Sequence, residues 1–208
     1  MTIDTKTALK YFKQTEPKMA SLLDTALTSA IPITIPKPKP KSEYFGSIVT
    51  SIISQQISTK AADAVRGRVV TFLGELTPER VKRADFDELK ACGLSAQKTK
   101  YIKHNAEVWY EIPVGNFTEM SDEEIILELT KLYGIGRWTA EMFLMFSLAR
   151  PDVFSYGDLG LMKSLYKHYN YKPHYVRKIE TTVESWSPHR TTASLVLWHT
   201  IDNGPVLL

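Results

Sequence analysis

Segment after segment of this chain carries apolar residues at helical spacing, and this recurrence constrains the fold more than any other feature. Between 44 and 56, Tyr44, Phe45, Ile48, Val49, Ile52 and Ile53 follow a 3.6-residue period. Ala61, Ala64, Val65, Val69, Phe72 and Leu73 repeat the pattern, and Gly74 follows as a stop. Thr77-Pro78-Glu79 opens a short helix with a cap and a first-turn proline. Residues 85–92 and 95–111 read as two more helices joined at Gly93, and Ser121 with Glu124 forms a capping box for a helix to about Leu132. Further helices are predicted at 137–149, 158–169, 174–184 and 189–201. Only Ile31 to Lys41 reads as extended, because its prolines forbid a helix. The fold class is therefore all-α, with an N-terminal helical segment over 1–30 and a Pro/Lys linker over 31–41.

With 208 residues, 43% of them hydrophobic, the chain can bury a full core. A net charge of +3 points weakly to a polyanionic partner. The single cysteine, Cys92, excludes a disulfide framework and any metal site built on several thiolates. The five histidines are scattered, and no glycine-rich nucleotide loop follows a strand pattern. No apolar run nears 18 residues and no signal-peptide core opens the chain, so a protein without membrane association is expected. An intracellular location follows: cytoplasm or nucleoid in a prokaryote, nucleus in a eukaryote.

The segment Leu132-Tyr-Gly134-Ile135-Gly136-Arg137-Trp138-Thr139-Ala140 joins an amphipathic helix to an almost wholly apolar one. Two glycines turn the backbone sharply and leave bare amides beside a helix N-terminus, which suits a phosphate. Read alone, a Gly-x-Gly between helices is an ordinary tight connection. Asp158 follows Gly136 by 22 residues, in Tyr-Gly-Asp-Leu-Gly. An aspartate there serves as a helix N-cap, yet it is in phase with Met162, Leu165 and Tyr169 and so faces the buried side. Cap and catalyst are compatible.

The hairpin segment and Asp158 together resemble the helix–hairpin–helix DNA glycosylases. Tyr44 to Ser58 with Ser-Gln-Gln-Ile-Ser, Gly93-Leu94-Ser95 with Lys98 and Tyr101-Ile102, and Trp186-Ser187-Pro188-His189-Arg190 are similar to the 3-methyladenine DNA glycosylase II branch. The resemblance covers roughly residues 42–200. It implies a compact two-lobed helical bundle with an active-site cleft between lobes. One lobe would span roughly 42–115 and the other 116–208, with the N-terminal helices packed on the latter.

It also implies double-stranded DNA containing alkylated bases as partner, and hydrolysis of the N-glycosidic bond of 3-methyladenine or 7-methylguanine nucleotides by a monomer. Asp158 would stabilise the oxocarbenium-like transition state and orient water. Trp138 occupies the place where bifunctional relatives carry a lysine nucleophile, so no lyase activity is expected. Trp138 and Trp198 would line the base pocket, the latter stacking on a cationic purine, with Tyr44, Phe45 and Trp186 as further lining residues. Gly134, Ile135, Gly136, Arg137 and Thr139 would contact the backbone. Gln56 would plug the gap left by the flipped nucleotide, with Gln55, Ser58 and Lys98 as further contacts. No cofactor is required, although hairpin carbonyls in this family can hold a structural Na+ or K+.

Three positions depart from the pattern: Tyr133 and Ser155 replace frequent prolines, and Met162 stands where a basic residue is common. The domain that precedes the linker in larger bacterial relatives is expected to be missing. Two other functions stay open at this point, a non-catalytic hairpin DNA-binding protein and a glycosylase for uracil or a deaminated purine.

Overall fold

The computed structural model describes residues 3–201, and all regular structure among them is helical. Helices α1 (Thr5–Thr15) and α2 (Pro17–Thr28) precede the extended segment, which ends in a 3-10 turn at Lys41–Glu43. Then come α3 (Tyr44–Ser54), α4 (Thr59–Leu73), α5 (Pro78–Arg83), α6 (Phe86–Ala91) and α7 (Ala96–Val108). The chain continues with α8 (Asp122–Leu129), α9 (Arg137–Phe146), α10 (Leu159–Tyr169), α11 (Val176–Glu184) and α12 (Arg190–His199). No helix among the described residues is long and apolar enough to cross a membrane.

Local chemistry sets most of these boundaries. Ser58, Thr77, Asp85, Ser95 and Asp158 each accept a backbone N–H with the side chain as N-cap, a bond worth about 1 kcal/mol apiece. Ser121 and Glu124 form the reciprocal capping box. Gly74 stops α4 at φ +77°.

The chain divides into two compact units, 39–143 and a unit formed by 3–38 with 144–201. In the first, the α3 stripe Ile48, Ile52 and Ile53 is fully buried with Val69, Val81, Leu89 and Ile102. Tyr44 stacks on Phe117 with centroids 6.2 Å apart and meets Phe143 edge-on at 5.3 Å. These contacts draw residues 116–143 into this unit, so the boundary lies within α9 rather than at 115. The expected division into 42–115 and 116–208 is corrected accordingly.

In the second unit, α2 and α10 both pack on α12. The Tyr11 hydroxyl donates to the Ser185 carbonyl at 3.1 Å, and Lys18 Nζ to that of His168 at 2.6 Å. Trp186 is fully buried there, against Phe154 and Tyr169.

Candidate active site

In the 39–143 unit, α8 ends at Thr130, and the chain turns through Leu132–Gly136 into α9. Gly134 adopts φ +78°, and a Cβ there would lie 2.5 Å from Cδ2 of Tyr101. Both the backbone angle and the aromatic ring therefore require glycine. The fully buried Asn105 holds Tyr133 by both backbone groups: its Nδ2 donates to the carbonyl at 3.0 Å, and its Oδ1 accepts the N–H at 2.8 Å. Gln55 Nε2 donates to the Gly134 carbonyl at 2.8 Å. Ile135 N–H goes to the Leu132 carbonyl. The amides of Gly134 and Gly136 find no acceptor among the described residues. Two outward N–H groups next to a helix N-terminus make a place for a phosphate oxygen.

In the other unit, Asp158 is 9% exposed and caps α10. Its Oδ1 accepts the Leu161 backbone N–H at 2.8 Å and the Trp198 indole N–H at 3.0 Å. Gly160 gives this arrangement room, since a Cβ there would stand 3.1 Å from Asp158 Oδ1 and 3.3 Å from Trp198 Cδ1. Leu159, at 82% exposure, and the half-exposed Tyr156 flank the carboxylate along the chain.

The loop that delivers Asp158 is fastened to α12. Asp152 accepts Arg190 Nε at 2.8 Å and Nη2 at 2.9 Å, the Arg190 backbone N–H at 3.1 Å, and the Ser187 hydroxyl at 2.7 Å. Burial pushes the Asp152 carboxyl up, but Arg190 and Ser187 outweigh it and hold it below the usual carboxylate range. Thr191 Oγ1 donates to the Arg150 carbonyl at 2.6 Å and accepts the Val153 N–H at 3.0 Å. One helix thus anchors both ends of the loop, with Arg190 and Thr191 at its start and Trp198 near its end.

Residues 49–189 match the family model described as HhH-GPD superfamily base excision DNA repair protein. The chain belongs to that superfamily. Over 172 residues it is 38% identical to DNA-3-methyladenine glycosylase 1 of Schizosaccharomyces pombe, covering 77% of this chain and 73% of that protein. A solved DNA-3-methyladenine glycosidase from Bacillus halodurans superposes with a TM-score of 0.76 at 34% identity, over 92% of this chain and 87% of the other. The Schizosaccharomyces pombe 3-methyladenine DNA glycosylase in complex with abasic DNA gives 0.76 at 30% identity, over 93% and 96%.

Gly134 and Gly136 lie in the turn before α9 and Asp158 caps α10, and the other residues expected at the site are placed as follows. Phe45 is buried against Trp109 at 5.2 Å, and Trp186 is fully buried among aromatics, so both are core rather than pocket lining. Tyr44 is likewise buried, in its aromatic cluster. Trp198 is 2% exposed and presents its N–H to Asp158 instead of an open stacking face. Trp138, on the first turn of α9, keeps 40% exposure. Ile135 and Thr139 are buried and offer no side chain to DNA.

The exposed Arg137 guanidinium pairs with carboxylates, Glu123 on one side and Glu141 at 2.9 Å on the other. Lys98 points inward, its Nζ 2.8 Å from the Ile53 carbonyl and 2.7 Å from that of Gln55. Lys103 does the same at the end of α5, donating to the carbonyls of Val81, Lys82 and Ala84. Ser58 caps α4. Gln56 remains exposed, at φ +60°.

Asn105 and Asp152 were not singled out in the sequence, and Gly160 and Arg190 stood there only within the segments 156–160 and 186–190, with no role given to either. Only Asn105 left a trace, as a polar residue on the inward face of α7 in phase with Ile102 and Ala106.

Proposed function

We propose that the protein is a DNA glycosylase that hydrolyses the N-glycosidic bond of alkylated purines, 3-methyladenine and 7-methylguanine, in double-stranded DNA. The observation that carries this reading is the buried Asp158 carboxylate, fixed through one oxygen by a helix N-terminal amide and an indole N–H. Capping α10 needs only the amide bond, whereas the indole bond orients the carboxylate as well. The names of the relatives support the substrate class, and the relative solved with abasic DNA supports DNA as partner.

In this reading the amides of Gly134 and Gly136 hold a backbone phosphate, and Gln56 fills the space of the extruded nucleotide. The flipped purine already carries a positive charge at its alkylated ring. When the C1′–N bond breaks, its electron pair stays on the purine, which departs neutral and needs no general acid. The ionised Asp158 stabilises the cationic sugar and orients a water whose oxygen bonds to C1′, the spare proton passing to solvent. The product is an abasic site.

Trp138 supplies no amine for attack on the sugar, so the enzyme is monofunctional and borohydride traps no covalent adduct. It acts as a monomer. No group of His, Cys, Asp or Glu among the described residues is arranged to hold a metal. A monovalent cation at the hairpin would use carbonyls other than those of Tyr133 and Gly134, which accept side-chain amides. No step above depends on it.

The test is release of free base from duplexes that each carry one lesion. Release of 3-methyladenine or 7-methylguanine, with little from uracil- or hypoxanthine-containing DNA, is the expected result. Preferential release of uracil or hypoxanthine would reassign the substrate, and no release from any duplex would favour a binding protein.

A further inference from the structure

Helix α7 touches both segments that the proposed function assigns to DNA, and it does so with one face. Lys98, Tyr101 and Asn105 are spaced three and four residues apart, so they line up along the helix. Asn105 holds Tyr133, and the Tyr101 ring fills the space that Gly134 leaves open. Lys98 reaches the other segment, where α3 ends in carbonyls that lack helical partners and carry the negative end of its dipole. Burial holds its ammonium below the usual lysine range. Gln55 closes the circuit, because its backbone carbonyl accepts Lys98 while its side-chain amide donates to Gly134.

Gln56 projects from this circuit in a left-handed conformation that side-chain-bearing residues seldom adopt. A turn of that kind keeps its shape only where its neighbours fix it.

We propose that Lys98 is a positioning residue for Gln56 and not a phosphate ligand: with Tyr101 and Asn105 it makes α7 a brace that fixes the plug and the hairpin at one separation. This inference rests on the reading of both segments as DNA-contacting.

The test is a double-mutant cycle of Lys98→Met and Gln56→Ala. Each form is measured for binding to a duplex with one abasic site and to the intact duplex, across a series of KCl concentrations. Wild type should prefer the abasic duplex. Lys98→Met should cut that preference about tenfold while binding intact DNA with an unchanged salt slope, and should add little in the Gln56→Ala background. Lys98→Arg should restore most of the preference. Should Lys98→Met fail to fold, Lys98→Gln, with a shorter donor, enters the same cycle.

A salt slope lower by about 0.9, one phosphate contact, would overturn the proposal, as would an undiminished effect of Lys98→Met beside Gln56→Ala. An unchanged preference in Lys98→Met would overturn it while leaving the proposed function intact. A wild-type protein with no preference for the abasic duplex would refute the DNA reading of the Gln55–Gln56 turn and this inference together.

Discussion

Replacing Gly160 by alanine separates the geometry of the carboxylate from the stability of the fold. Gly160 lies in the first turn of α10 and is absent from the positive-φ glycines, so alanine fits its backbone. Helix propensity alone favours alanine by about 1 kcal/mol. The new Cβ would stand 3.1 Å from Asp158 Oδ1, 3.1 Å from Ile201 Cδ1 and 3.3 Å from Trp198 Cδ1. Comfortable carbon contacts begin near 3.5 Å, so each neighbour must retreat by a few tenths of an ångström. Overpacking of this kind costs about 1–3 kcal/mol, which the propensity gain partly offsets. The variant should melt within a few degrees of wild type.

Catalysis has no such offset. A misplacement of about 1 Å costs about a hundredfold in rate, so a few tenths should lower single-turnover base release by about 3- to 30-fold. Affinity for abasic DNA should stay close to wild type, since the hairpin is untouched. A full wild-type rate would refute the reasoning that the Asp158–Trp198 spacing is set by the missing side chain.

Trp198→Phe keeps an aromatic ring but removes the N–H donated to Asp158; base release should fall about 10- to 100-fold in the single-turnover assay, consistent with a bond to a charged group worth about 1.5–3 kcal/mol. Asp152→Asn tests the loop anchor through pH. The folded-state pKa of Asp152 is depressed, so its stabilisation is present above the unfolded value, about 3.9, and is lost as pH falls through the folded value. Chemical denaturation should show the variant weaker by about 1–3 kcal/mol at neutral pH, with the gap closing below about pH 4. Gly134→Ala should abolish binding to abasic DNA in a titration, because Tyr101 and the backbone angle both resist a side chain.

What the sequence made legible was local. The α3 stripe, the Ser121–Glu124 box, the Gly74 stop and the Asp158 cap each depend on residues within a few positions of one another, and each stands in the structure. Contacts across long separations were not legible. The Trp198 bond to Asp158 spans 40 residues, and nothing local distinguishes an indole that donates to a carboxylate from one that stacks on a base. Lys98 is expected at the DNA surface because lysines usually lie at surfaces, whereas the α3 end that packing places beside it draws it inward. The lobe boundary failed for the same reason, since Tyr44, Phe117 and Phe143 meet only after the helices have packed.

The most direct measurement of the central claim is single-turnover release of 7-methylguanine from a duplex by wild type and by Asp158→Asn. Asparagine keeps the size of the side chain and an oxygen for the α10 cap but loses the negative charge that meets the cationic sugar. Release should fall by at least about a hundredfold, with abasic-DNA affinity and melting temperature close to wild type. Equal rates for the two proteins would contradict the account.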